Sequence, residues 1–389
     1  MQKKIVLFSI FFWLFWLFYN FYNGYEISNT TYFLVLISLS SFFLGWRTTK
    51  INTNIRNVYH SEKKLKYLRF FVLTYSLLIL LISLLSILKN GFLIHRDIVS
   101  QPGGIFNSIG LNFIHNYLFQ PLNLAAIIIF FCVKTVNVKF IKTAYLLLFV
   151  IAISELGRFT IYYLIFFLFI DRVLLNNNMT KIKTDFINNN KIKSYFIIIF
   201  IVSTTLFLQL RKITSERGDV DAVEVIQKFG LNYHVVGFHM LDKFVVNDIQ
   251  TDSYSFPSTS LGDVGWYFEL VTKYSKVLPV FKNSFKELME YFNDGIFIEE
   301  LDFPYNAFTT NILPFYADGG IFGVIFMFFI IGRISKLGKN YSIYRINPIF
   351  ICTVLLFNFS LFMPLLSTKL IPLIFLISVF NIILRIKTN

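Results

Sequence analysis

Residues 68–88 read LRFFVLTYSLLILLISLLSIL, and this stretch decides the fold class of the chain. Apart from Arg69 near its start, it contains no charged side chain. It has the length of about 20 residues that an α-helix needs to cross the hydrocarbon layer of a bilayer. Because the peptide groups of a helix hydrogen-bond to one another, such a segment is stable in lipid. The stretch therefore predicts a membrane-spanning helix.

The same pattern recurs along the chain on both sides of this stretch. Only residues 155–158 separate the fifth apolar segment from the sixth, so the two form either a tight hairpin or one long broken helix. We expect an all-α polytopic membrane protein with about ten transmembrane helices. The expected spans are residues 5–22, 28–46, 68–88, 109–133, 140–154, 159–175, 194–210, 313–332, 348–363 and 369–384.

The composition excludes a water-soluble enzyme. Of the 389 residues, 56% are hydrophobic and 15% are charged, whereas about a quarter of the residues of a soluble domain are charged. The formal net charge of +14 would suggest a nucleic-acid partner in a soluble protein, but in a membrane protein it indicates basic cytoplasmic loops. Cys132 and Cys352 both lie in apolar runs and provide neither a disulfide framework nor a metal cluster.

The distribution of charge predicts the orientation. With the N-terminus in the cytoplasm, 23 of the 36 Lys and Arg residues fall in short cytoplasmic segments, and only 3 of the 22 acidic residues do. This is the bias that the positive-inside rule describes. We expect a multi-pass protein of the inner (cytoplasmic) membrane with both termini in the cytoplasm.

One loop is much longer than the others and divides the chain into three parts. Residues 1–210 carry the first seven spans, residues 211–312 form a large external loop, and residues 313–389 carry the last three spans. Within the loop, residues 216–246 and 281–292 have the periodicity of amphipathic helices, and residues 253–265 are typical of irregular loop. The chain shows no internal repeat, which argues against a transporter built from inverted halves.

Three local features accompany this organisation. They are Gly157-Arg158 before the sixth span, Arg211 and Arg217 after the seventh, and residues 306–332 leading into the eighth. The last stretch reads NAFTTNILPFYADGGIFGVIFMFFIIG and contains the pattern Tyr-x-Asp-x-Gly-x-x-Gly. With one large external loop late in the chain, the sequence resembles the Wzy-type polymerases of O-antigen and capsule repeat units.

The resemblance implies a glycosyltransferase of lipopolysaccharide O-antigen or capsular polysaccharide biosynthesis. Such an enzyme joins oligosaccharides linked to undecaprenyl diphosphate on the outer side of the inner membrane. A sugar hydroxyl of one lipid-linked repeat unit attacks the growing glycan, which leaves its lipid diphosphate. The implied partners are this substrate, membrane lipid, a chain-length regulator and a flippase. No nucleic acid and no cofactor are expected.

The resemblance also implies cations that hold the diphosphate, and we assign this role to Arg158, Arg211 and Arg217. Arginine suits it because the planar guanidinium group binds phosphate through two parallel hydrogen bonds and stays charged. Each arginine also has a structural alternative. Arg158 is placed to pair with Glu155, Arg211 to anchor its span at the interface, and Arg217 to pair with Asp221 one helical turn away.

The reaction further needs a base to remove the hydroxyl proton. The candidates are Glu155, Glu216, His234 and Asp318. For Asp318, the alternative is an interfacial aspartate beside glycines that pack against a neighbouring helix. For His234, the alternative is a structural histidine within a helix.

Metal chemistry is not expected from the sequence. Residues 219–221 read Asp-Val-Asp, formally the metal motif of many glycosyltransferases, but two isolated aspartates are a weak signal. We therefore predict no metal ion. Two other functions are compatible with the sequence: an O-antigen ligase, which shares the chemistry, and a flippase that transports lipid-linked oligosaccharides. The flippase is the less favoured of these, because it would not require a long loop on one side.

Overall fold

The computed structural model describes residues 2–50, 61–101, 103–133, 139–155, 158–170, 227, 231–246, 259–275, 284–285, 288, 296–298, 303–305, 309–337, 344–361 and 363–384. Over these residues the protein is predominantly helical. The helices are α1 (Gln2–Tyr22), α2 (Asn29–Thr48), α3 (Glu62–Ser100), α4 (Ile109–Ile114), α5 (Gln120–Cys132), α6 (Lys139–Glu155), α7 (Arg158–Phe169), α8 (Val236–Val246), α9 (Gly262–Ser275), α10 (Ile312–Leu337), α11 (Pro348–Phe359) and α12 (Leu365–Ile383).

Six helical stretches in the described part of the chain are long and apolar enough to cross a membrane. One of them joins α4 to α5 through a π-helical turn at His115–Phe119. The expected fifth, sixth and ninth spans correspond to the shorter helices α6, α7 and α11, and the expected seventh span, residues 194–210, lies outside the described residues. The six stretches are Gln2–Tyr22, Asn29–Thr48, Glu62–Gly91, Ile109–Cys132, Ile312–Lys336 and Leu365–Ile383.

Helices α6 and α7 form a hairpin rather than one long broken helix. The ring of Phe140, near the start of α6, lies 5.7 Å from that of Phe130. The ring of Phe167, near the end of α7, lies 4.8 Å from that of the adjacent Phe131. The start of α6 and the end of α7 are therefore at the same level of the bundle, so the two helices run antiparallel.

Helices α2 and α10 approach so closely that their backbones touch. A Cβ atom added to Gly45 would lie 2.0 Å from the carbonyl oxygen of Phe329, and one added to Gly332 would lie 2.2 Å from that of Phe42. Small residues allow this kind of approach between membrane helices. Any side chain larger than hydrogen at either position would force the helices apart.

Helix α10 is broken near its start by two glycines. Gly319 and Gly320 have non-helical backbone angles, and Gly320 has a φ of 57°. A Cβ atom on Gly323 would lie 2.3 Å from the carbonyl oxygen of Phe315, whereas residues eight apart in a straight helix are separated by about 12 Å. Because no atom of the described residues lies within 4 Å of a Cβ atom placed on Gly319, these glycines bend α10 rather than pack against a neighbouring described helix.

The expected external loop contains both helix and strand where it is described. Within residues 216–246, a 3-10 turn at Asn232–His234 precedes α8, which is largely buried. Helix α9 begins at Gly262, so the expectation that residues 253–265 are entirely irregular is wrong at its C-terminal end. Strands β1 (Ile296–Ile298) and β2 (Phe303–Tyr305) form a short antiparallel ribbon.

Candidate functional site

One face of α1 binds several parts of the protein that are distant in sequence. Ser9, Trp13, Trp16 and Asn20 are all buried on this face. The indole N–H of Trp13 donates to the carbonyl oxygen of Phe357 at 3.1 Å. The segment that contains α8 packs against the same face of α1. This contact fixes the positions of two histidines in that segment.

His234 packs as an aromatic ring in the described structure. Its imidazole lies parallel to the indole of Trp16, with 4.2 Å between ring centroids, and edge-on to Tyr162 at 5.4 Å. Trp16 lies roughly 9 Å before the end of α1, at 1.5 Å per residue. The segment between the expected seventh and eighth spans therefore reaches into the helix bundle and does not only cover its end. The stacking of His234 favours the structural role that the sequence left open.

His239 and Asp242 hold α8 against the hairpin of α1 and α2 through hydrogen bonds. The Nε2 atom of His239 lies 2.9 Å from the amide oxygen of Asn20. Burial lowers the pKa of His239 to about 4. The charges of Asp242 and Lys243 have smaller effects on this pKa, and they oppose each other: Asp242 raises it and Lys243 lowers it. The carboxylate of Asp242 accepts from the backbone N–H of Ser28 at 2.8 Å, directly before α2.

Asp318 is almost fully buried, and its carboxylate holds a second external segment. One oxygen accepts from the backbone N–H of Thr259 at 2.9 Å and from the hydroxyl of the same residue. The other oxygen accepts from the backbone N–H of Ser260 at 2.6 Å. These hydrogen bonds compensate for the free-energy cost of burying the carboxylate. They tie the segment before α9 to the break in α10, which favours a positioning role for Asp318.

The remaining predicted site residues are described in part or not at all. Glu155 is the last residue of α6 and Arg158 the first of α7, so both lie at the same end of the hairpin. Arg211, Glu216 and Arg217 lie outside the described residues. Of the predicted set, the structure therefore shows contacts only for His234 and Asp318, and it does not bring these two together.

A cavity of about 230 Å³ lies between α3, the π turn, α5, α6, α7 and α12. Most of its wall is apolar, and Ile79, Leu148 and Leu373 are representative. The start of α3 meets the end of α12, where the N–H of Ser61 donates to the carbonyl oxygen of Leu384. The cavity lies in the opposite half of the bundle. The polar side chains in its wall are Ser76, His115, Gln120, Asn123, Ser154, Tyr163 and Lys369.

Lys369 is the one charged residue among the described residues that line this cavity. Its ammonium group lies 5.8 Å from the centre of the Tyr117 ring, close enough for a cation–π interaction. On the same wall, Nδ1 of His115 lies 2.5 Å from the hydroxyl oxygen of Tyr75. This contact fixes the imidazole ring and leaves Nε2 for another partner. The cavity can thus hold an apolar group, an anion and a hydrogen-bonding group at once.

Sequence reasoning missed both Lys369 and His115. The expected tenth span began at residue 369, where a lysine reads as an ordinary interfacial anchor, but α12 begins at Leu365 and places Lys369 inside the helix. His115 lies within the apolar stretch 109–133. The signal that could have identified both is an ionisable side chain inside a helical stretch that is apolar and long enough to cross a membrane, where such side chains are rare and commonly functional.

In the described part of the chain, no cluster of three or more His, Cys, Asp or Glu side chains has the arrangement of a metal site. No family model matches the chain, and neither a curated protein nor a solved structure matches it.

Proposed function

We propose that the protein is a polymerase of lipid-linked oligosaccharide repeat units, acting on the outer side of the inner membrane. The observation that carries the proposal is the cavity whose mostly apolar wall includes Lys369 and His115. A substrate made of a long hydrocarbon chain, a diphosphate and a sugar needs these three environments side by side. A lysine inside an apolar helix that is long enough to cross a membrane is a functional-site hypothesis by default.

The proposal includes the ten-span topology with both termini in the cytoplasm. Support comes from the excess of Lys and Arg in the expected cytoplasmic segments. The antiparallel arrangement of α6 and α7 supports counting them as two crossings. In this topology, the start of α3 and the end of α12 lie at the cytoplasmic face, and the cavity lies in the outer half of the membrane.

In the proposed reaction, a hydroxyl oxygen of one lipid-linked repeat unit attacks the anomeric carbon of the growing glycan. The bond from that carbon to the phosphate oxygen breaks, and the electron pair leaves with the lipid diphosphate. A base accepts the hydroxyl proton. We propose Lys369, Arg158, Arg211 and Arg217 as the cations for the diphosphate, because charge that develops on a leaving group is best stabilised by fixed cations.

Among the candidate bases, Glu155 is favoured by its position beside the cavity. It directly follows Ser154, which lines the wall, and it ends α6, whose antiparallel neighbour α7 begins at Arg158. Glu216 remains a candidate on sequence alone. The stacking of His234 and the hydrogen bonds of Asp318 favour roles in holding the external segments, so we propose both as positioning residues.

The test is the length of the glycan in cells that lack the native gene and express variants of this chain. Lys369→Ala should shorten the glycan ladder, and Arg158→Ala should do so more strongly than Arg158→Lys. The matched control is Lys336→Ala, because the Lys336 ammonium group also lies over an aromatic ring, that of Trp46 at 4.7 Å, but not at the cavity. Full-length ladders from both Lys369→Ala and Arg158→Ala would overturn the assignment of this site. Lipid-linked polymer that reaches full length but is not transferred to lipid A would indicate a ligase instead.

A further inference from the structure

His115 lies in the wall of the cavity, at an irregular point of its helix. It opens the π turn His115–Phe119, which joins α4 to α5. Single π turns inside α-helices are rare and occur frequently at functional sites. In the proposed topology, His115 lies roughly 9 Å from the outer end of the stretch Ile109–Cys132, at 1.5 Å per residue. It is therefore near the depth at which the polar head of a lipid meets its hydrocarbon chain.

Two aromatic side chains hold the imidazole ring of His115. The hydroxyl oxygen of Tyr75 in α3 lies 2.5 Å from Nδ1, and the ring of Phe106 lies edge-on, with 5.5 Å between ring centroids. Tyr75 also contacts the other end of the π turn, because its ring stacks on that of Phe119 at 4.2 Å. The orientation of the imidazole is thus fixed by groups outside its own turn.

The contact with Tyr75 indicates which ring nitrogen of His115 carries the hydrogen. A separation of 2.5 Å is within the range of hydroxyl donors and below the range of N–H donors, which is about 2.7–3.2 Å. The Tyr75 hydroxyl therefore donates, and Nδ1 accepts. In a neutral imidazole the other nitrogen then carries the hydrogen. The Nε2–H group of His115 is thus a hydrogen-bond donor.

This donor has no hydrogen-bond partner in the described part of the chain. Unlike the hydroxyl of Ser76, which also lacks a partner there, Nε2 of His115 keeps accessible surface. His95 provides a contrast, because its Nδ1 contacts the hydroxyl of Ser86 at 2.9 Å and its Nε2 contacts the carbonyl oxygen of Ser154 at 3.1 Å. Since His115 lines the cavity, an acceptor inside the cavity can reach its Nε2–H group.

The donor suits the phosphate of the proposed substrate. Ionised phosphate oxygens accept hydrogen bonds, and a bond from an N–H group to a charged oxygen is about twice as strong as one between neutral groups. A fixed N–H donor stabilises the negative charge that develops on a leaving group. A neutral imidazole can do this without giving up its own proton.

We propose that His115 is a further catalytic residue, whose Nε2–H donates a hydrogen bond to a phosphate oxygen of the lipid diphosphate. Tyr75 is its positioning residue, because the Tyr75 hydroxyl holds the imidazole in the tautomer that donates. No proton leaves the imidazole, and the hydrogen bond strengthens as the leaving group gains charge. The inference rests on the proposed function, since it takes a lipid diphosphate as the substrate.

The first test observes the imidazole directly in the full-length protein, labelled with ¹⁵N-histidine, in nanodiscs of phosphatidylcholine. The ¹⁵N resonance distinguishes a protonated ring nitrogen from an unprotonated one, and the signals of His115 are those missing from His115→Gln. At neutral pH, Nε2 should carry the hydrogen and Nδ1 should not. Tyr75→Phe keeps the ring but removes the hydroxyl, so a fraction of His115 should change to the other tautomer. Tyr67→Phe, at an exposed tyrosine of the same helix, is the control and should leave these signals unchanged.

The second test identifies what the donor binds. Hexadecyl phosphate carries a chain and a phosphate, hexadecyltrimethylammonium carries the same chain without an acceptor oxygen, and inorganic phosphate lacks the chain. Only hexadecyl phosphate should move the Nε2 resonance. Its dissociation constant, from titration with native mass spectrometry, should rise about 10- to 100-fold in His115→Phe, the effect of losing one hydrogen bond to a charged group. His115→Gln should retain most of the affinity, because the glutamine amide also donates.

The inference is overturned if Nδ1 of His115 carries the hydrogen in the wild-type protein, or if Tyr75→Phe leaves the tautomer unchanged. It is also overturned if His115→Phe, at the wild-type melting temperature, binds hexadecyl phosphate as tightly as the wild type. An equal response to inorganic phosphate would overturn it too, because the site would then take a free anion. None of these measurements requires turnover, so they are independent of whether the protein extends glycans. Extension at the wild-type rate by His115→Phe would overturn the catalytic role and leave the proposed function standing.

Discussion

The carboxylate of Asp318 accepts a hydrogen bond from the backbone N–H of Thr259 at 2.9 Å, although the two residues are 59 positions apart in the chain. Asp318 directly precedes the glycines that break α10. Thr259 precedes α9, which packs against α12. A single carboxylate thus joins the external segment to the broken start of α10, close to where α12 begins.

Removing this charge should loosen the external segment. Asp318→Asn keeps the size of the side chain but replaces one accepting oxygen with an N–H₂ group, which cannot accept from a backbone N–H. Hydrogen bonds to a charged group are worth about 1.5–3 kcal/mol each. We expect a lower melting temperature and faster hydrogen exchange of the Thr259 and Ser260 amides.

The control for this variant is Glu62→Gln, because Glu62 forms an exposed ion pair with Lys66 at 3.2 Å. Exposed pairs of this kind contribute about 0–1 kcal/mol, so the control should melt close to the wild-type temperature. Unchanged exchange of both amides in Asp318→Asn would mean that the carboxylate does not hold the segment.

The close contact between α2 and α10 should not tolerate a larger residue. Gly45→Leu would drive its side chain into the backbone of Phe329, and overpacking of this kind typically costs about 1–3 kcal/mol or more. We expect reduced protein in the membrane and a lower melting temperature. Gly110→Ala is the control, because within the described part of the chain no atom lies within 4 Å of its Cβ position. A fully stable Gly45→Leu protein would contradict the helix packing described above.

The buried His239 predicts a pH dependence of stability. Its pKa of about 4 in the folded protein lies below the ordinary value of about 6.5. As the pH falls through 6.5, the unfolded chain binds a proton that the folded protein does not, so stability decreases until the pH reaches about 4. The loss is on the order of 3 kcal/mol, at about 1.4 kcal/mol for each unit of pKa.

The measurement is the melting temperature from pH 4 to pH 7 for the wild-type protein and for His239→Gln. Glutamine can donate to Asn20 as the imidazole does but does not titrate in this range. The melting temperature of the wild-type protein should therefore fall more steeply toward low pH than that of the variant. Parallel curves for the two proteins would show that His239 is not the group responsible.

Reporter fusions test the proposed topology independently of the site. Fusions at Lys181 and Lys339 should report the cytoplasm, and fusions at Thr251 and Asn293 should report the outer side. The reason is the excess of basic residues in the expected cytoplasmic segments. A cytoplasmic signal at Thr251 would contradict the ten-span arrangement and the external site with it.

Hydrophobicity alone was sufficient to locate several helices. The expected spans 5–22, 28–46 and 109–133 lie close to the helical stretches Gln2–Tyr22, Asn29–Thr48 and Ile109–Cys132. The break in α10 did not follow from hydrophobicity, because residues 313–332 are apolar on both sides of Gly319 and Gly320. Two adjacent glycines are compatible with either a bend or close helix packing, and the contact of Gly323 with Phe315 decides between them.

The candidate site was harder to predict from the sequence than the helices, because it depends on tertiary contacts. The expected span began at residue 369, whereas α12 begins at Leu365 and places Lys369 inside the helix. Conversely, the sequence identified Asp318 and His234 as candidate bases, but their contacts with Thr259 and Trp16 indicate structural roles.

The central claim is that this protein lengthens lipid-linked glycans at the cavity of Lys369. The direct test supplies purified protein in liposomes with oligosaccharide repeat units linked to undecaprenyl diphosphate and measures product length. We expect products of two or more repeat units, undiminished by excess chelator, with a rate about 10- to 100-fold lower for Lys369→Ala and unchanged for Lys336→Ala. The account is contradicted if wild-type protein with its normal melting temperature leaves every substrate at one repeat unit, or if Lys369→Ala extends glycans at the wild-type rate.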